Sequence, residues 1–184
     1  MDRRGLLSGG LFALAATGRA EAQAARIDRD QAIRPGLEFV FRVRATLGAP
    51  IEQGSWDNQR HRTIPITGGV VEGPRFKGKV LAGGADWQTL RLSDGNTKIF
   101  ARYTLQHDDG TFVTVTNPGV RRGPAEVMAR LAAGEVVDPA AYYFRASPQI
   151  EAPPGPHGWL EENTFVCVGK RWPDTVDLDM YVVL

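Results

Sequence analysis

The chain has 184 residues, of which 42% are hydrophobic, and 22 basic against 21 acidic side chains give a formal net charge of +1. That length fits one domain plus a leader, and that hydrophobic content supplies a core and excludes a disordered chain. No basic run exceeds two residues, as in Arg121-Arg122 and Lys170-Arg171, so nothing is built to attract a phosphate backbone and no nucleic-acid partner is expected.

The first 24 residues read as an export signal rather than as fold. Met1-Asp2-Arg3-Arg4 is a short basic start, and Leu6 to Ala16 is an apolar run too short to span a bilayer. Ala22-Gln23-Ala24 is a small-x-small cleavage site. Arg3-Arg4-Gly5-Leu6-Leu7 resembles the twin-arginine signal, whose cargo folds before export. Its removal takes away three arginines and two acids and leaves a neutral mature chain, 25–184, with no membrane span and a periplasmic or secreted location. The lone cysteine, Cys167, permits no internal disulfide. It alternates with apolar residues and reads as a small buried side chain rather than a nucleophile.

Strands follow one another from Leu37 onward. In Leu37 to Arg44 the alternation puts Leu37, Phe39, Phe41 and Val43 on one face. Leu47 to Arg60, with Gly48, Pro50 and Gly54, reads as a long loop. Four strands are expected at Thr63–Val71, Arg75–Ala82, Trp87–Leu92 and Thr97–Gln106, set off by glycine corners and by the Asp94-Gly95 hairpin turn. Pro65 predicts an edge or bulge in the first of them. Asp108-Asp109-Gly110 turns the chain into a threonine- and valine-rich strand, Thr111 to Asn117. Gly123 to Gly134 changes period: proline at the start, glycine past the end and an apolar face of Val127, Met128 and Leu131 predict a short helix, a lid or plug on the barrel. Strands at Tyr142–Ala146, Trp159–Lys170 and Val176–Leu184 complete an all-β chain. The expectation is one antiparallel β-barrel of about nine strands with one short helix, since closure removes exposed edges.

Gly68-Gly69, Gly73-Pro74, Gly78 and Gly83-Gly84-Ala85-Asp86-Trp87, taken in order, resemble the glycine signature of the DUF3237 family. Ala101-Arg102-Tyr103, Asp108-Asp109-Gly110, Gly119, Tyr143-Phe144-Arg145 and Trp159-Leu160 extend the match to roughly residues 35–184. The resemblance implies a small barrel similar to the allene-oxide-cyclase and lipocalin-like barrels, and a family with no settled activity. Two departures stand in the C-terminal third. Glu161 follows Trp159-Leu160 where the family usually has asparagine, and Gln149-Ile150-Glu151-Ala152 replaces an aromatic-acid-threonine stretch.

No Gly-x-Ser-x-Gly and no phosphate loop is present, and no cofactor is expected. His61, His107 and His157 show no metal-ligand spacing, and His107-Asp108-Asp109 reads as a polar hairpin tip, so no metal site is expected. Asp86 after two glycines either holds the corner through backbone N–H groups or presents a buried carboxylate of raised pKa. Arg102 and Tyr103 point to opposite faces, so one of them enters the barrel, and the sequence leaves open which. Tyr143 and Arg145 share a face and could hold one ligand between phenol and guanidinium.

These residues predict an exported barrel that takes a small apolar or aromatic molecule. Asp86, Arg102, Tyr143 and Arg145 would be its polar contacts, with Trp87 and Trp159 as walls. An alternative is a cofactor-free isomerase, cyclase or lyase using Asp86 with Arg102 or Tyr143 as its acid–base pair. A third is a filled-barrel interaction module.

Overall fold

The computed structural model describes residues 32–184; the export signal expected at residues 1–24 lies outside them. The elements run β1 (Leu37–Leu47), β2 (Ile51–Trp56), β3 (Gln59–Glu72), β4 (Gly78–Val80), β5 (Gly84–Arg91), β6 (Thr97–His107), β7 (Phe112–Arg122), α1 (Ala125–Ala132), β8 (Tyr143–Ala146), β9 (Gln149–Glu151), β10 (Phe165–Arg171) and β11 (Thr175–Val183). Eight of the eleven strands close a circuit of antiparallel ladders, β1-β3-β5-β6-β7-β8-β10-β11 and back to β1. The remaining three are short additions: β2 pairs with β3, β4 bridges β3 and β6, and β9 extends β7.

The expected antiparallel barrel of about nine strands with one short helix is borne out as an eight-stranded circuit with three added strands among the described residues. The stretch read as a loop, Leu47 to Arg60, is mostly the β2–β3 hairpin, turned by Asp57 and Asn58, both at positive φ. Asp and Asn accept that conformation at lower cost than other non-glycine residues, so this turn carries no glycine to mark it. Trp159 begins no strand; Gly158–Leu160 is a 3-10 turn, and β10 starts only at Phe165. The alternation expected in β1 also breaks. A bulge between Phe39 and Phe41 buries both Val40 and Phe41 and turns Phe39 outward, where its ring meets Tyr181 edge-on at 5.7 Å.

The barrel has two unlike ends. At the end where β6 finishes, Phe41, Phe76, Leu105, Leu160, Phe165, Met180 and Val182 are fully buried and fill the interior. Ridding these side chains of water is the main favourable term, and a Phe41→Ala cavity would cost about 3–5 kcal/mol. At the end where β6 begins, Ala45 and Ala101 stand among Ile64, Ile66, Phe144 and Leu178, and polar side chains join the lining. Helix α1 lies at that end, its Met128 Cβ close enough to meet a Cβ built on Gly95 of the β5–β6 turn at 3.1 Å.

Two glycines show how tightly the ladders are drawn. At Gly69 φ is +142°, and an added Cβ would stand 2.1 Å from the Arg44 carbonyl oxygen across the β1–β3 ladder. At Gly83 φ is +105°, with nothing within 4 Å. Gly69→Ala is therefore expected to cost clearly more than Gly83→Ala, whose cost is the backbone strain of about 1–2 kcal/mol. Urea unfolding of the two variants checks this, and equal losses would refute it.

Candidate functional site

The cavity at the polar end is walled by Ala45, Ile64, Ile66, Ala101, Phe144 and Leu178, and three arginines and one aspartate enter it: Arg62, Arg121, Arg171 and Asp86. Gln88, Tyr103 and Asn117 add uncharged polar groups. Strand period places each of them. Arg62 is in phase with Ile64 and Ile66, Gln88 with Leu90, and Asn117 and Arg121 with Val113 and Val115, all of them facing inward. Cross-strand register then sets them side by side: Arg62 opposite Gln88, Asp86 opposite Ala101, Ala101 opposite Asn117, and Thr97 opposite Arg121.

A relay of hydrogen bonds orders part of this group. Arg62 Nε and Nη2 donate to Gln88 Oε1 at 3.0 and 2.8 Å, and Gln88 Nε2 donates to Asp86 Oδ2 at 2.6 Å. The Phe100 backbone N–H donates to Asp86 Oδ1 at 3.1 Å. Burial lifts the Asp86 carboxyl above the usual aspartate value, and the Gln88 amide and the Arg121 charge only partly offset it. Arg171 is tied to the β10–β11 turn, donating from Nη1 to the Thr175 carbonyl at 3.0 Å and from Nη2 to that of Pro173 at 2.9 Å.

Arg121 is different. It is 4% exposed, and its Nε has no hydrogen-bond partner among the described residues. Burial, with the nearby Arg62 and Arg171 charges, pushes its guanidinium down to about 10. The Tyr103 hydroxyl and Asn117 Oδ1 are also buried without hydrogen-bond partners among the described residues. Burial raises the Tyr103 hydroxyl well above a free phenol, so it stays a neutral donor. With three guanidiniums against one carboxylate that burial tends to neutralise, the cavity is positive. Its chemistry suits an anionic or acidic oxygen.

Of the six expected ligand contacts, Asp86 alone lines the lumen. Trp87, its neighbour on the strand, must face the other way and is 46% exposed. Arg102 is outside, 3.6 Å from Glu151, and it is Tyr103 that enters. Tyr143 and Arg145 do meet, with the guanidinium carbon 5.2 Å from the ring centroid, but on the outer surface beside Arg122. Trp159 packs near Phe165 under the Arg75 guanidinium, at the filled end. Asp86 therefore stands with Arg121 and Tyr103, not with Arg102 or Tyr143. The cavity residues Arg62, Gln88, Asn117, Arg121 and Arg171 were missed. Their signal was a polar residue in phase with inward apolar ones.

The family model described as "Protein of unknown function (DUF3237)" matches residues 35–183. The chain belongs to the DUF3237 family. A UPF0311 protein of Clostridium acetobutylicum is 40% identical over 147 residues, covering 79% of this chain and 92% of that one. The crystal structure of a protein of unknown function from Rhodopseudomonas palustris superposes with a TM-score of 0.78 at 36% identity, covering 84% of this chain and all of that one. A hydroalkoxylation enzyme of Penicillium herquei is 35% identical over 82 residues, 45% of this chain and 54% of its own length.

The Asp86 shift has a sign that can be measured. Its folded value is raised, so the stability tied to its protonated form is present below the ordinary carboxylate range and is lost as pH rises through the folded value. Asp86→Asn has no proton to lose there. Relative to wild type, the variant should gain stability between pH 4 and pH 7 in urea unfolding. A constant difference across that range would refute the shift.

Proposed function

We propose that the polar end of the barrel binds a small molecule through an anionic or acidic oxygen held by Arg121, its apolar part lying against Ile64, Ile66, Phe144 and Leu178. The observation that carries this is the buried Arg121 Nε with no partner among the described residues. A desolvated guanidinium lacking its counter-ion is costly unless something pairs with it. Asn117 and Tyr103 would complete the contacts to that oxygen.

The free space in the cavity is about 40 Å³. A benzene-sized ring needs about 150 Å³, so an aromatic ligand enters only if a wall yields. Helix α1, beside the β5–β6 turn at the same end of the barrel, lines none of the cavity but is the neighbouring element best suited to yield. It is short, its buried residues are Met128 and Leu131, and Pro124 at its N-cap gives no side-chain hydrogen bond. The same reading keeps the expectation that the mature domain is exported, on the strength of residues 1–24. Among the described residues no helix is long and apolar enough to cross a membrane.

Arg121→Leu tests the binding reading. Replacing a buried cation with hydrocarbon should leave the fold as stable as wild type or raise it by about 1–2 kcal/mol, while binding of benzoate or salicylate falls at least tenfold by calorimetry. A variant that binds these probes as well as wild type, or a wild type that binds neither, sinks the proposal.

A second reading rests on Asp86, a carboxyl held up by burial in the same cavity, and on the Penicillium relative named for hydroalkoxylation. In such a reaction the Asp86 carboxyl gives its proton to one alkene carbon while a hydroxyl oxygen bonds to the other. That hydroxyl proton returns to the carboxylate, so atoms balance with no oxidant. Arg121 would stabilise the oxygen as it loses its proton. Conversion of 2-allylphenol to its cyclic ether by wild type, reduced at least a hundredfold in Asp86→Asn, is the expected outcome. No turnover above buffer would leave the barrel a binder.

A further inference from the structure

We propose that His107, Asp109 and His157 form a site for a divalent transition-metal ion of the zinc class at the filled end of the barrel, remote from the arginine-lined cavity. His107 ends β6 and Asp109 stands in the turn that follows, while His157 comes from the proline-rich loop before β10. Nothing in the spacing of the histidines announces the cluster; the fold makes it.

One ligand atom from each side chain can be chosen so that all lie within 4.8 Å of one another. His107 Nδ1 is 3.0 Å from Asp109 Oδ1, and His157 Nε2 is 2.9 Å from Asp109 Oδ2. Two imidazole nitrogens and a carboxylate oxygen are the donor set preferred by borderline divalent ions such as Zn²⁺, Co²⁺ and Ni²⁺. Metal–ligand bonds of about 2.0–2.2 Å put tetrahedral neighbours about 3.3 Å apart, so the two histidine–carboxylate contacts, made to different oxygens of Asp109, open by a few tenths of an ångström, and any separation near the 4.8 Å limit closes by up to about 1.5 Å.

The rings are held in place before any ion arrives. Their centroids are 4.1 Å apart, and Phe76 meets both edge-on, at 4.9 Å from His107 and 5.5 Å from His157. The fully buried Phe76 anchors them to the core. His157 is itself buried, and its Nδ1 has no partner among the described residues, so its one polar tie is Nε2 to Asp109. Asp109 is half exposed, which gives an ion a way in from solvent and leaves room for water in the remaining coordination positions. Binding has a local cost. The Asp109 backbone N–H donates to His107 Nδ1 at 3.2 Å, and this long contact must pass to solvent when the nitrogen takes the metal.

The same three side chains could serve without metal as a His–Asp–His staple, and the experiment separates the two. Untagged mature chain, stripped with a chelator, is titrated with Co²⁺ and with Zn²⁺. One equivalent of Co²⁺ should bind with a visible d–d spectrum, and Zn²⁺ should displace it and raise Tm by several degrees. Asp109→Ala, at an exposed position, should weaken Co²⁺ at least tenfold without unfolding the chain, and His157→Gln should do the same. Asp86→Asn, at the opposite end, should titrate like wild type. A wild type that binds no stoichiometric Co²⁺ below about 100 μM, or an Asp109→Ala variant that binds it equally well, overturns the assignment and leaves the staple.

Discussion

The ladder between β1 and β11 is the constraint on which the rest depends. It joins Leu37 to Val183 and continues to the Thr46–Thr175 pair, and it turns a twisted sheet into a tube. Without it β1 and β11 would both be bare edges, and the interior would open to water. Charges latch the seam from outside. Arg42 and Lys170 both hydrogen-bond Asp179, and Arg44 Nε donates to Asp177 Oδ1 at 2.8 Å. Burial works to raise the Asp179 carboxyl, yet those two cations hold it below its usual value. The seam is therefore strongest where Asp179 is ionised and weakens in acid.

A closed tube must then dispose of its inside, and this one divides the task. One half is packed with Phe41, Leu105, Phe165 and Met180 and carries the stability. The other half gives up packing: Ala45 and Ala101 leave space between Ile64, Ile66 and Phe144, and arginines enter where hydrocarbon would be more stable. Stability is given up at one end and secured at the other, which is the division the proposed binding would require. The buried Cys167, its thiol pushed up to about 12 by burial, belongs to the packed interior and has no nucleophilic character.

The barrel was legible because alternation and glycine corners are local signals. Tyr103 entering and Arg102 leaving, or Asp86 entering and Trp87 leaving, follow from the same period once the phase of one residue is known. The sequence alone does not give that phase, because both faces of these strands carry large apolar side chains, Trp87, Phe100 and Val120 among those exposed. Pairing Asp86 with Trp87 in one wall ignored the pleat. The inward arginines were the harder loss: Arg121 sits next to Arg122 and Arg62 two positions from Arg60, and a nearby charge disguises a buried one as part of a solvated run. The meeting of His157 with Asp109 lay beyond any local reading, since it depends on where a proline-rich loop comes to rest.

The seam has a consequence for how the molecule comes into being. Arg42 and Asp179 are 137 positions apart, so the closing ladder spans nearly all of the folded domain and cannot guide early steps. Until it zips, the arginines of the cavity are hydrated and repel one another little; the positive field inside is created by the final closure. A ligand of the kind proposed would meet that field only in the finished molecule, and by mass action it would hold the last step shut. Loading would then follow closure and stabilise it, and a partly assembled chain would have nothing to offer the ligand.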